Sequence, residues 1–304
     1  MSEAGRKVLG FHFRRMIAHE TGARLGEDIE ALHDMRVATR RMRVALELFI
    51  PFFKKKAVKP YTNGLRSTTR VLGRVRDLDV FLGKLKDYIA NLPESERLGF
   101  EVFLSQWDGK HNKAQSKMIR YLDSDRYQLF THQFGEFLNT PGEGAKRSKT
   151  VQPNQVRDLA PIMIYERLAA VRAFEQVLGN ATINELHALR MQLKKLRYTI
   201  EFFRDVLGPE SKDVIRDIKI LQDHLGNLND ADVACQIVNG FIANQEKEQV
   251  TLPVHERLNQ EPIFTYLAAK HDERHRLIAT FREPWQTIMG REFRENLAKA
   301  VSAI

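Results

Sequence analysis

The sequence predicts an all-α protein built as two copies of one helical unit. Three observations lead there. Apolar residues recur at spacings of three and four along most of the chain, alternating β-branched runs are scarce, and an eighteen-residue segment returns 154 residues later. Proline and glycine divide the periodic stretches. The first half is expected to hold helices near 5–22, 28–50, 58–76, 79–91, 95–120 and 125–138, and the second near 155–179, 183–207, 210–226, 230–248, 254–281 and 285–302. Between them PGEGAKRSKTVQPNQ (141–155) is polar and has no apolar period, so it reads as a linker between residues 1–140 and 156–304.

The repeat is ungapped. LHDMRVATRRMRVALELF (32–49) lies over LHALRMQLKKLRYTIEFF (186–203), with Leu, His, Arg, Arg, Glu and Phe coinciding at 32/186, 33/187, 36/190, 43/197, 47/201 and 49/203. Arg40 and Arg41 face Lys194 and Lys195, so cationic character persists where identity does not. A second block, LGRVRDLDV (72–80), lies over LGNLNDADV (225–233) and shares Leu-Gly, Asp-x-Asp and the final Val.

A 304-residue chain with 43% apolar residues has enough for a large buried core. No stretch has the length and apolarity of a membrane span, and MSEAGRKVLG lacks the apolar centre of a secretory signal, so a cytoplasmic location is expected. The lone cysteine, Cys235, excludes an internal disulfide framework and reads as a buried, inert thiol. Residues 1–150 hold 28 Lys and Arg against 18 Asp and Glu, whereas residues 151–304 hold 20 against 21. The positive charge therefore sits in the first half, and it points to nucleic acid, an acidic membrane surface or another phosphate polymer.

Helical geometry converts the spacing into a surface. At about 100° per residue, His33, Arg36, Arg40, Arg43 and Glu47 fall within an arc of roughly 80°. His187, Arg190, Lys194, Arg197 and Glu201 form the matching stripe. Leu32, Met35, Met42, Leu46 and Phe49 lie on another face, as do Leu186, Leu189, Leu196, Ile200 and Phe203, and are expected to be core. Asp28 and, in a capping box with Glu185, Thr182 mark the two helix starts. A row of cations on one helix is ordinarily a solvated face. Here the same pattern recurs with the same spacing in halves that differ elsewhere, and each stripe sets three fixed cations against one carboxylate. An external anion is the simpler complement.

These two helices and the Leu-Gly…Asp-x-Asp-Val blocks resemble the CHAD domain, named for conserved histidines in an α-helical domain, and the resemblance runs over nearly the whole chain. It implies two bundles related by a pseudo-twofold axis and packed about a basic central channel. It further implies binding of inorganic polyphosphate, association with polyphosphate granules, and no established catalysis. The residues expected to bind the polymer are His33, Arg36, Arg40, Arg41 and Arg43 with His187, Arg190, Lys194, Lys195 and Arg197. Arg66, Arg70 and Arg74, spaced by four on one helix, would extend the channel, and so would Arg14.

Weaker candidates are Arg15 and the Lys54-Lys55-Lys56 run, which at a helix C-terminus would simply be solvated. Asp77/Asp79 and Asp230/Asp232 read as helix caps or arginine partners ahead of metal ligands. No cofactor site is read. Phosphate-binding glycine loops, zinc-protease helices and activated nucleophiles are missing from the sequence, and the chain reads as a binding protein, not an enzyme. Two rivals stay open: a nucleic-acid binder, and a phosphoryl-transfer enzyme using His33 or His187 as acceptor. Phe49, Phe202, Phe203 and Tyr198 sit in apolar periods, where stacking on bases is not expected.

Overall fold

A computed structural model of the chain describes residues 1–26, 28–146, 154–250, 253 and 259–304. Among them there is no β-strand, only one isolated bridge between Phe53 and Ala145. The first half contains α1 (Ser2–Ala18), α2 (Glu20–Leu25), α3 (Ile29–Phe49), α4 (Lys55–Ala90), α5 (Glu94–Arg97), α6 (Glu101–Leu122) and α7 (Asp125–Asn139). The second contains α8 (Val156–Arg172), α9 (Ile183–Phe202), α10 (Ser211–Gln249), α11 (Glu261–Ala279), α12 (Arg282–Met289) and α13 (Arg291–Ser302). In the first half α3 packs between α1 and α4, and α4 against α6; in the second, α9 packs between α8 and α10, and α10 against α11. The two halves meet where α3 packs on α9 and again where α11 packs on residues 98–100 ahead of α6.

Both repeat helices start where their caps predict. The Asp28 carboxylate accepts from the Glu30 N–H at 2.8 Å. Thr182 and Glu185 form the reciprocal capping box, each satisfying a backbone donor that the first helical turn leaves free. All ten apolar residues assigned to the core faces of the two helices are buried. They belong to one continuous cluster that also takes in α1, α4, α6, α7, α8, α10, α11, α12 and α13. The halves therefore share a core, and Phe49 meets its repeat counterpart Phe203 edge to face at 5.9 Å.

Several expectations are corrected. The pairs 58–76/79–91 and 210–226/230–248 are each one helix, α4 and α10, about 54 and 58 Å long. Both Asp-x-Asp pairs thus lie inside helices and cap nothing. The break expected there has no cause in the backbone, since no proline intervenes and each aspartate has a side-chain partner on another helix instead. The Lys54-Lys55-Lys56 run opens α4 and does not close a helix. The helix expected over 5–22 divides at His19, and that over 285–302 divides at Gly290, whose ψ of 167° is extended. The linker does not leave the bundle at once: Lys146 donates its N–H to Phe52 O at 2.9 Å, returning 141–146 to the α3–α4 turn. The rest of the expected linker up to residue 153, His255 and most of the first turns expected at 254–260 lie outside the described residues.

Candidate functional site

The α3–α9 contact brings together Arg36 and Arg40 from α3 with Arg190, Lys194 and Arg197 from α9, and Arg76 joins them from α4. Among the described residues only Arg36 of this cluster has a direct carboxylate partner on α4, donating to Asp77 at 3.0 Å. Asp230, the counterpart of Asp77, attracts Arg190 electrostatically but accepts its hydrogen bond from Lys84 at 2.8 Å. Arg197 lies 3.6 Å from Glu201 on its own helix. The Nε atoms of Arg36, Arg40, Arg41, Arg190 and Arg197 are buried without an acceptor among the described residues. Burying charged donors without partners is costly.

Electrostatics register the crowding. Lys194 is pushed down to about 6, first by burial and then by Arg190, Arg40, Arg36 and Arg197 around it. Burial also holds Arg36 and Arg190 below the ordinary guanidinium range, with Arg40 repelling both. The shared glycines of the second sequence block line this region. A Cβ on Gly73 would lie 3.6 Å from Arg36 Nε, and one on Gly226 would lie 3.7 Å from the Arg190 guanidinium. Each long helix thus runs within ordinary contact distance of its arginine at the glycine.

Arg41 and Lys195, expected as ligands, are engaged elsewhere. Arg41 pairs with Glu201 at 2.7 Å and Lys195 with Glu47 at 2.6 Å, each bond crossing from one half to the other. Glu47 and Glu201 thus join the halves and orient neither histidine. Arg43 is exposed and lies beside Arg66 of α4. Arg70 and Arg74 are exposed along α4, and Arg74 acts on Lys110 of α6. Arg14 is exposed on α1, against Gly10, and the structure gives it no ion pair among the described residues. Arg15 and His19 approach Asp34 at 3.6 and 3.4 Å.

The two histidines are not equivalent. His33 is half-buried, its Nδ1 has no partner among the described residues, and burial followed by the Arg76 charge lowers its pKa. His187 is exposed, with Nδ1 3.0 Å from Asn229 Oδ1. Arg76 and Asn229 occupy matching positions of the second sequence block, so one substitution between the repeats sets the difference. The second aspartates tie each long helix to its successor: Asp79 lies 2.7 Å from His111 of α6, and Asp232 accepts from Arg274 of α11 at 3.1 Å. No cluster of potential metal ligands occurs among the described residues.

Sequence reasoning missed Arg76 and Tyr198. The phenol ring is fully buried, and the guanidinium carbons of Arg41, Arg197 and Arg40 lie 5.1, 5.1 and 5.8 Å from its centroid. It is buried, as its apolar period predicts, and is also a platform beneath three arginines, held by cation–π attraction. Its signal was the aromatic embedded in KKLRY directly after Arg197. His12, edge-on to Phe202, is buried and driven to about 4 by burial and then by Arg41 and Arg15.

Comparison with known proteins follows the same lines. Two uncharacterized proteins of Mycobacterium tuberculosis, from different strains, are each 27% identical over 214 residues, covering 67% of this chain. The aligned part is only 39% of those proteins' length. The crystal structure of the CHAD domain from the plant Ricinus communis superposes with a TM-score of 0.66 at 20% identity, covering 100% of this chain and 92% of that one. PptA from Streptomyces chartreusis superposes at 0.63 with 15% identity, covering 93% and 98%. At such identities these likenesses concern the fold. Residues 7–239 match the CHAD domain family, a span holding both copies of the histidine-arginine helix and both Leu-Gly…Asp-x-Asp-Val blocks, and the chain belongs to that family.

Proposed function

We propose that the protein binds inorganic polyphosphate along the α3–α9 contact, with Arg36, Arg40, Arg190, Lys194 and Arg197 as the principal ligands. The observation that carries this reading is Lys194, a lysine half-buried among four guanidiniums and depressed to about 6. Like charges held this close oppose folding unless an anion of high charge density offsets them. Phosphate oxygens also supply the acceptors that the buried arginine Nε atoms lack. Crossed pairs Arg41–Glu201 and Lys195–Glu47 support a pseudo-twofold relation between the halves, because exchanging the repeats turns one pair into the other. The polymer would then lie in a channel shared by both.

This is a binding role, and catalysis is not part of it: His187 faces an amide, which cannot act as its base, and His33 sits beside Arg76. Nucleic acid is the poorer complement, since Tyr198, the aromatic ring of the cluster, lies under the arginines and leaves bases no face to stack on. No helix among the described residues is long and apolar enough to cross a membrane. A cytoplasmic protein associated with polyphosphate granules is the setting that fits this role. Competition at one fixed ionic strength tests it. Long-chain polyphosphate should displace single-stranded RNA and duplex DNA, while neither nucleic acid displaces polyphosphate at equal phosphate concentration; mutual displacement would reduce the site to an unspecific cationic surface.

A further inference from the structure

The basic residues outside the central cluster are arranged unevenly, and the unevenness has a direction. α3 and α4 run antiparallel, with Arg36 bonded to Asp77 near one end of their contact and Arg43 beside Arg66 near the other. Interpolating that register puts Arg70 opposite Arg40. Arg66, Arg70 and Arg74 fall within an arc of about 80° and span about 12 Å of α4. At the far side of α4, Arg74 acts on Lys110 of α6, whose ammonium lies 3.6 Å over the Trp107 ring. Arg66, Arg70 and Arg74 are exposed and make no ion pair among the described residues. They form a ramp from the central cluster across α4 towards α6.

The second half has no such ramp. At an offset of 153, the register of the Leu-Gly blocks, the positions of Arg66, Arg70 and Arg74 are taken by Lys219, Asp223 and Asn227. Three cations become one cation, one anion and one amide. A polyanion leaving the cluster across α10 meets no net attraction, whereas one leaving across α4 meets three guanidiniums within a few helical turns. A bound chain therefore has one favourable exit.

We propose that Arg66, Arg70 and Arg74, with Lys110 beyond them, form a chain-length-selecting subsite that holds the overhanging part of a long polyphosphate on the first repeat only. The inference rests on polyphosphate being the ligand of the central cluster. A short polymer fills the cluster and gains nothing from the ramp. A long one adds contacts to exposed arginines, whose worth comes mainly from release of counterions and so depends on salt.

Affinities for tripolyphosphate and for long-chain polyphosphate, measured across a range of salt concentrations, test this. The neutral triple variant Arg66→Gln, Arg70→Gln, Arg74→Gln should lose about tenfold in long-chain affinity, with a salt slope shallower by about 2, as for three contacts to a flexible single-stranded polyanion. Its tripolyphosphate affinity should stay within about twofold of wild type, because the central cluster is untouched. A triple variant of exposed cations on the second repeat, Lys212→Gln, Lys219→Gln, Lys247→Gln, removes the same charge and should leave the ratio of the two affinities unchanged. Equal losses for the short and long polymers would overturn the subsite, as would equal length-dependence in the second-repeat variant. The central reading fails separately: wild type would then bind neither polymer more tightly than single-stranded RNA at the same ionic strength.

Discussion

Lys194 is the residue on which the site's physics turns. Its ordinary value of 10.5, retained in the unfolded chain, falls to about 6 in the fold. Between those values the unfolded chain binds more protons than the native one, so stability should rise with pH across that window, the penalty being complete below it. Thermal melts at several pH values should show Lys194→Met flattening this rise and melting higher than wild type at pH near 7. A bound polyanion reverses the balance by favouring the ammonium. Binding should take up a proton, and affinity should strengthen as pH falls from about 8 to about 6. Lys194→Gln should remove most of that slope, and His33→Gln should remove little, since burial and Arg76 already disfavour its charged form. The opposite pattern would return the proton to the His33 imidazole. Arginine stays charged over this range and cannot produce either slope.

At the scale of the element, α4 and α10 show how one pattern serves two ends. Their aspartates lie mid-helix, where Asp77 steadies Arg36 at 3.0 Å and Asp79 and Asp232 fasten the following helices through His111 and Arg274. Their glycines weaken the helices intrinsically and lie beside Arg36 and Arg190. The start of α4 is another matter. Lys55 and Lys56 stand in its first turn behind Lys54, all exposed, where the macrodipole is positive. Lys55→Glu should therefore stabilise the protein by about 0.5 kcal/mol in denaturant unfolding at low salt, an advantage that added salt erodes. It should leave polyphosphate affinity nearly unaltered, since this run lies apart from the seam.

Across the whole molecule, the charge that matters is local and not the net +9. Arg36→Glu with Arg40→Glu and Lys54→Glu with Lys55→Glu change net charge equally. If binding followed the overall field, they would weaken it alike. With a site, the first pair should cost about a hundredfold or more in polyphosphate affinity, as for losing two charge-assisted bonds, and the second only a few-fold. Titration calorimetry at one ionic strength separates the cases. Far-UV circular dichroism should show unchanged helical content in both variants, because none of the four positions belongs to the core cluster.

The sequence by itself determined the fold class, the starts of α3 and α9, all ten core positions of those helices and every member of the basic cluster except Arg76. Periodicity, capping and repeat are local properties, and a helix carries them wherever it packs. Tertiary structure decided which cations remain available. Arg41 and Lys195 share the basic pattern of Arg40 and Lys194, yet a turn of about 100° along the helix aims them across the interface at Glu201 and Glu47. It also separated His33 from His187, through whether Arg76 or Asn229 stands opposite, and placed Tyr198 beneath three guanidiniums. Apart from Arg197, which adjoins Tyr198, those outcomes depend on partners forty or more residues away in the chain, and no spacing within one helix encodes the angle at which another helix meets it.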